Sequence, residues 1–479
     1  MTRPFLTFAL LICLAFAAPA ADLPDLGDVA VGEFSPTQER LLGEEIMREV
    51  RRDPAWLDDP ETEEYINRLG QRLVAASADP SRRFEFFVVK DGSLNAFAFP
   101  GGYIGVHSAL ILAAQSESEL AGVLGHEIGH VTQRHIAQLI GKQKQLSAIM
   151  LASLLAALAA NNSRVGEAAV AAGAAGTMQA QLAYTRDFER EADRAGLQTL
   201  ESAGFDVRGM AGFFSRLQRA SRLYENNAPA YLRTHPLTTE RIADMENRVM
   251  NMSYRQVPDS ADFRYVQARL RVGASPAADV ARTFAGLVKG NPGDAAARYG
   301  LTLAQLRLGR LDEAAQGIDE LRRRAEPSPF IAILGAELAA ARRDYGTAIE
   351  TLTAASRKFP LSLSVVYALL DTQIAGGRAA DAEQSARRAL VGHGGDIRLW
   401  QLLSRANAAL GKRVAQHRAQ AEVYALQGAY RAAVEQLELA RKAGDGDFYE
   451  LSAADARLRE IRDRMRDDQK QERQRQNGR

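Results

Sequence analysis

One cysteine, Cys13, occurs in 479 residues, so the chain cannot close a disulfide on itself or hold a thiolate metal cluster. A surplus of either charge is missing too: 60 Lys and Arg balance 59 Asp and Glu. That balance removes the electrostatic case for nucleic acid, or an anionic membrane surface, as the main partner. Long apolar runs are absent. The uncharged stretch LSAIMLASLLAALAA reaches only from Leu146 to Ala160 and is closed by Asn161-Asn162, too short to span a bilayer as a helix. It predicts a buried or surface-associated helical hairpin, with at most peripheral membrane contact. Histidine is scarce, with seven in the chain, and four of them crowd between His107 and His135.

The first residues, MTRPFLTFALLICLAFAAPAAD, carry one positive charge at Arg3, an uncharged apolar run from Phe5 to Ala18 and the ending Ala18-Pro19-Ala20. This predicts a secretory signal cleaved near Ala20 or Ala21. Residues 1–21 are read as the signal peptide and 22–34 as a linker. Cys13 lies inside the signal, so the mature chain would have no thiol, and the expected compartment is the periplasm.

The remaining length exceeds what one core usually serves, which predicts two or more domains. Ser35-Pro36-Thr37-Gln38 has the pattern of a helix start, with Ser35 as cap and Gln38 reaching back. A second helix is predicted from Pro60 to Ala76, with Tyr65, Ile66, Leu69, Leu73 and Val74 at helical spacing. FEFFVVKD (Phe84 to Asp91) and LNAFAFPGGYIGV (Leu94 to Val106) are rich in aromatic and β-branched residues and are divided by Pro100-Gly101-Gly102, the signature of a small β-sheet with a turn. Ser116 and Glu119 form a capping-box pattern that opens another helix.

Beyond Asp259 the text is alanine-rich and helical. DEAAQGIDEL, GTAIETLTAA and DAEQSARRAL set Ala314, Ala348 and Ala382 at two equal intervals. Each interval has the length of a tetratricopeptide repeat, about 34 residues. In GAYRAAVEQL, Ala433 falls one and a half such intervals after Ala382. The register is therefore expected to slip there, with the helix from about Arg413 to Leu426 shared between two pairs. The expected fold is mainly α with a small β-sheet: a domain over 35–259, an α-solenoid of tetratricopeptide repeats over 260–456, and a charged tail over 457–479 that is frayed or disordered. Stacked helix pairs leave a concave face, so the second half reads as a binding module.

The predicted helix after Ser116 contains GVLGHEIGHVTQRH, Gly122 to His135. His126 and His130 stand one turn apart and can converge on one metal ion, while Glu127, rotated by about 100°, can reach a water on that metal and take its proton. Gly125 and Gly129 each cost about 1 kcal/mol in a helix interior relative to alanine, which is understandable if another backbone approaches there. A zinc-type site needs a third protein ligand. His135 is expected to point elsewhere on the helix, as a surface or supporting residue, and His107 could serve only if the sheet folded back. YTRDFEREADRAGLQTL, Tyr184 to Leu200, offers Glu189 as ligand, with Asp193 one turn on to bond the far nitrogen of a ligand histidine. Asp187 and Glu191 compete on the same segment, and spacing leaves the choice open.

HEIGH followed by EREAD resembles the HExxH…ExxxD pattern of the zinc metallopeptidase superfamily that includes HtpX and the CAAX prenyl proteases. NAFAFPGG (Asn95 to Gly102) and THPLTTER (Thr234 to Arg241) match further segments of it. The resemblance implies a zincin-type domain holding one Zn2+ per chain through His126, His130 and Glu189, with Glu127 as the base and Asp193 as partner of a ligand. It also implies that Asn95, Ala96, Phe97, Ala98 and Phe99 form an edge strand to which substrate adds. His235 is expected either to stabilise the oxyanion or to fill the open metal position and keep the enzyme latent, with Arg241 orienting its loop or pairing with Asp244. Signal, protease half and repeat half together resemble members devoted to outer-membrane quality control. The implied clients are unfolded or stalled outer-membrane β-barrel proteins, with the assembly machinery engaged through the repeats. The rival expectation is a chaperone or adaptor with a latent metal site.

Overall fold

The computed structural model describes residues 34–142, 186–221, 229–253 and 255–477. The predicted signal peptide, most of the linker and the apolar run Leu146 to Ala160 lie outside them. The architecture is mainly α with one three-stranded sheet, and no helix among the described residues is long and apolar enough to cross a membrane.

The first helix, Pro36–Val50, starts as its sequence predicts: the Gln38 amide donates to Ser35 Oγ at 3.2 Å and the Ser35 amide to the Gln38 side chain at 2.7 Å. Helix Pro60–Ala75 follows, then strands β1 (Glu85–Val89), β2 (Ala96–Phe99) and β3 (Tyr103–His107). β3 is central, parallel to β1 and antiparallel to β2. Gly101 and Gly102 turn the β2–β3 hairpin at φ +83° and +89°, and a Cβ on Gly102 would lie 2.1 Å from the Arg83 carbonyl oxygen. Both faces of the sheet are covered. Phe87, Val89, Phe97 and Phe99 pack with Leu42, Ile46 and Met47 of the first helix, while Phe86, Val88, Ala96, Ala98, Ile104 and Val106 face the larger core.

The two edges of the sheet differ. On β1, the Asn67 side chain accepts from the Phe86 amide at 3.0 Å and donates to the Phe86 carbonyl at 2.7 Å. The Leu57 amide donates to the Val88 carbonyl at 3.0 Å. That edge is closed to further pairing. On β2, the Asn95 carbonyl accepts from the His107 amide within the ladder, so by alternation the peptide groups of Ala96 and Ala98 point away from β3.

Helix Glu117–Thr132 runs through the centre of the domain and is buried on all sides from Glu117 to Val131. Its cap departs from the expected box. Ser116 accepts from the Glu119 amide, but Glu119 Oε2 accepts from the Gln115 amide at 2.6 Å and pairs with Arg216 at 2.6 Å rather than returning to Ser116. Helices Arg186–Ser202, Arg208–Ser221, Ala230–Thr234 and Thr239–Met250 complete the domain.

The second half opens at Ala261, capped by Ser260, and consists of twelve helices among the described residues. First helices begin at 261, 295, 329, 363 and 397, second helices at 277, 311, 345, 379 and 413, and two more helices at 430 and 448. Over these five pairs the tetratricopeptide register is kept without a change. The expected slip is present: Arg413–Leu426 closes a pair with Ile397–Ala409 and opens another with Tyr430–Lys442 across a three-residue turn at Gly428 (φ 71°), and Ala433 holds the fourth position of its helix as Ala314, Ala348 and Ala382 do of theirs. Ala314, Ala348 and Ala382 are each fully buried at the same turn of successive second helices. The last helix, Phe448–Asn477, carries through the predicted tail boundary and buries Leu458 and Ile461 against Val414, Ala421 and Leu437.

One apolar core crosses from the first half into the repeats, from Tyr65 to Leu338. Gln267 Nε2 donates to the Ile111 and Ala114 carbonyls at 2.9 and 2.8 Å. Arg269, on the same helix, clasps Asp59 and Glu61 at 2.7 and 2.9 Å. The repeats are therefore docked on the helix that supports β1.

Five three-residue turns between paired helices use a left-handed residue, at Gly309, Arg343, Gly377, Gly411 and Gly428, with φ of 72°, 62°, 76°, 71° and 71°. Only Arg343 has a Cβ there, a strain of about 1–2 kcal/mol. Arg343→Gly is expected to raise stability by about 1 kcal/mol, less what the freer unfolded chain takes back. Chemical denaturation of the full chain would read it as a higher midpoint.

Candidate functional site

Two helices meet at the centre of the first half. A Cβ on Gly129 would stand 2.9 Å from the Ala192 carbonyl oxygen, one on Gly125 3.2 Å from that of Gly196, and one on Gly196 3.0 Å from the His126 amide nitrogen. The backbones of Glu117–Thr132 and Arg186–Ser202 therefore touch, which accounts for the glycines in the helix interior. This contact carries Glu189 and Asp193 to the histidines.

His126 Nε2 and His130 Nε2 are 3.0 Å apart. Glu189 Oε1 is 3.4 Å from His130 Nε2, and Glu189 Oε2 is 3.5 Å from His126 Nε2. His235 Nδ1 lies 3.3 Å from His126 Nε2 and 3.1 Å from Glu189 Oε1. All four side chains are buried, and one ligand atom from each falls within 4.8 Å of the others. Tetrahedral zinc with bonds of about 2.0–2.2 Å sets its ligand atoms about 3.3–3.6 Å apart, close to these separations. Two imidazole nitrogens facing each other at 3.0 Å need a cation or a proton between them. The donor set fits a metal ion.

Asp193 Oδ1 lies 3.0 Å from His126 Nδ1. Burial raises the Asp193 carboxyl, but bonds from Arg241 and His126 outweigh it and hold the group below the usual carboxylate range. Burial also works against charge on His126, yet Asp193 and Glu189 lift its pKa to about 9. A metal at this site therefore competes with a proton. Glu189 is held well below its ordinary value, burial being overcome by His235, His126 and His130, whereas burial drives His130 well down.

Glu127 is fully buried, and burial pushes its carboxyl up. That is the direction a proton acceptor working near neutral pH requires. His235, His126 and a side-chain hydrogen bond from the Tyr231 hydroxyl oppose that rise, and His235 Nε2 stands 3.5 Å from Glu127 Oε1. The Tyr231 ring stacks on His235, with centroids 4.6 Å apart, and its amide donates to the Leu94 carbonyl at 3.0 Å. The His235 loop is thus tied to the strand that carries Asn95 to Phe99.

Sequence reasoning leaves Asp187, Glu189 and Glu191 open. In the fold Glu189 enters the cluster, Asp187 is exposed beside Arg190, and Glu191 reaches His135 at 3.1 Å. His107 is outside the cluster, with Nδ1 3.0 Å from Ser93 Oγ. Of the two places expected for His135 the structure shows the supporting one, though not turned away: it is fully buried, with Nδ1 2.9 Å from His130 Nδ1. Arg241 takes the first of its two expected roles, holding the His235 loop, and adds contacts to two site carboxylates that the sequence does not show. It is buried, bidentate on Asp193 at 2.8 Å through Nε and Nη2, with Nη1 2.7 Å from Glu189 Oε2 and 2.7 Å from the Pro236 carbonyl. Asp244, its alternative partner by sequence, pairs with Arg248 at 3.0 Å. THPLTTER holds the signal, since an arginine shortly past a capping threonine can turn inward, but burial cannot be read from spacing.

The sequence pattern of peptidase family M48 matches residues 60–249. The β-barrel assembly-enhancing protease of Escherichia coli (strain K12) is 33% identical over 458 residues, 94% of this chain and 93% of that protein. The chain belongs to peptidase family M48. The protein of the same name from Yersinia pestis is 32% identical over 93% of this chain and 92% of its own. Mitochondrial metalloendopeptidase OMA1 of Schizosaccharomyces pombe is 30% identical over 182 residues, 38% of this chain and 51% of that protein. As a family M48 protein the chain is a metallopeptidase.

Gly129→Ala puts a methyl group against the Ala192 backbone and is expected to cost about 1–3 kcal/mol and to weaken metal binding. Gly212→Ala, where a Cβ meets nothing within 4 Å, is expected to leave stability unchanged or raise it by up to about 1 kcal/mol. Denaturation midpoints and metal content of the two variants check the contrast.

Proposed function

We propose that this chain is a periplasmic zinc endopeptidase acting on unfolded or stalled outer-membrane β-barrel proteins. The names of its full-length relatives and the signal-like N-terminus support the compartment and the clients. The repeat half would recruit those clients or the outer-membrane assembly machinery. Zinc is favoured by the donor set of imidazole and carboxylate without thiolate.

The observation that carries the reading is Glu127. It is a fully buried carboxylate whose pKa burial pushes up, and it stands on the helix of the two ligand histidines, where hydrolysis requires a base. His126, His130 and Glu189 would hold the ion, and Asp193 would fix the His126 tautomer. Zinc, when bound, polarises a scissile carbonyl and lowers the pKa of a water. Glu127 takes the proton from that water and passes it to the leaving amine. An extended substrate adds to β2, where the Ala96 and Ala98 peptide groups point away from the sheet, so backbone pairing rather than side-chain identity selects it. Unfolded chains suit such a groove.

A second reading concerns His235, whose Nδ1 stands among the ligand atoms. Such a side chain could close the fourth position and hold the enzyme latent, leaving a chaperone or adaptor until its loop moves.

Purified mature protein with zinc is expected to cleave an unfolded outer-membrane β-barrel protein. Glu127→Gln should lose at least about 100-fold in rate, the contribution of a general base, while keeping its zinc. Equal cleavage by Glu127→Gln would refute the assigned base. Cleavage by His235→Ala alone would establish latency.

A further inference from the structure

His130 is backed by a relay of its own, and its members lie outside the roles assigned above. Helix Glu117–Thr132 stops, and Arg134 takes a left-handed conformation at φ 55°. The Arg134 side chain is anchored, with Nη2 donating to the Phe34 carbonyl at 2.7 Å and Nε 3.5 Å from Glu39. This reversal turns His135 back toward the helix it has just left. Its Nδ1 lies 2.9 Å from His130 Nδ1, and its Nε2 3.1 Å from Glu191 Oε2. The Phe188 ring lies flat on the imidazole, with centroids 4.4 Å apart and planes within 10°. A left-handed arginine costs about 1–2 kcal/mol, so the fold bears a strain that places this ring.

We propose that His135 is a positioning residue for metal binding, holding His130 in the tautomer and orientation that present Nε2 to the ion. The proposal rests on the zinc-peptidase reading above. The protons are set by the carboxylate at the outer end. Glu191 accepts from His135 Nε2–H, which leaves His135 Nδ1 as an acceptor. His135 Nδ1 then accepts from His130 Nδ1–H, and the His130 Nε2 lone pair faces the metal. No net charge is moved. The same helix, Arg186–Ser202, therefore serves both histidines: Asp193 reaches His126 directly, and Glu191 reaches His130 through His135.

The test is the zinc dissociation constant of the full-length mature chain, measured by competition with a chelating dye, with thermal melts to verify folding. His135→Leu is expected to weaken zinc binding about 10–100-fold, the usual effect of losing the partner of a ligand histidine. His135→Asn should keep most of the wild-type affinity, because its Oδ1 can accept where Nδ1 did. Glu191→Ala, at a half-exposed position, should weaken binding in the same direction without unfolding the chain. Wild-type affinity in folded His135→Leu would overturn the proposal, as would an Asn variant no better than Leu. A wild-type chain that binds no zinc would overturn both this proposal and the reading on which it rests.

Discussion

Helices Glu117–Thr132 and Arg186–Ser202 touch backbone to backbone because glycine or alanine stands at each crossing point, Gly125 and Gly129 against Ala192 and Gly196. Most of the converging groups at the site depend on that contact, with His235 and Arg241 coming from beyond it. His126, Glu127, His130 and, through one reversed residue, His135 come from the first helix. Glu189, Glu191 and Asp193 come from the second. A methyl group at the crossing would move two sets of side chains whose separations are 3.0–3.5 Å, and a metal site tolerates little of that. Packing thus fixes chemistry here.

A second constraint is electrostatic. Four buried histidines and three buried carboxylates sit within a few side chains of each other, an arrangement that stands only if each charge is met. Arg241 meets two of the carboxylates and, through the Pro236 carbonyl, binds the loop that carries His235. Burying such a group is a weak source of stability but a strong constraint on geometry. The loop, the carboxylate behind His126 and the carboxylate facing both histidines are therefore one unit. Tyr231 extends it to the sheet, where Asn67 closes one edge of the ladder and β2 keeps the other. The repeats brace the same assembly from outside, since Gln267 and Arg269 grip the elements flanking β1 and the central helix.

Much of this is legible in the sequence where a period or a fixed spacing carries it. Helical periodicity alone brings His126 and His130 together, the interior glycines announce a close neighbour, and alanines one tetratricopeptide length apart announce stacked pairs. What spacing cannot supply is the facing of one helix on another. Asp187, Glu189 and Glu191 differ only in which side of their helix meets the site, and that is decided by Ala192 and Gly196, which look unremarkable in a string of letters. Between a surface and a supporting place for His135 the sequence cannot choose, because Arg134 gives no sign of a left-handed conformation, being neither glycine nor asparagine. The late slip is legible because a fixed spacing carries it: Ala433 repeats the alanine of the second helices one and a half intervals on, and its helix follows Arg413–Leu426 across a turn of the kind found inside the earlier pairs.

X-ray absorption at the zinc edge, on the purified mature chain, tests the central claim most directly. The account predicts one zinc per chain in a shell of nitrogen and oxygen only, with at least two imidazoles at about 2.0–2.1 Å. A chain that retains no zinc, or a zinc surrounded by oxygen without imidazole, would contradict it.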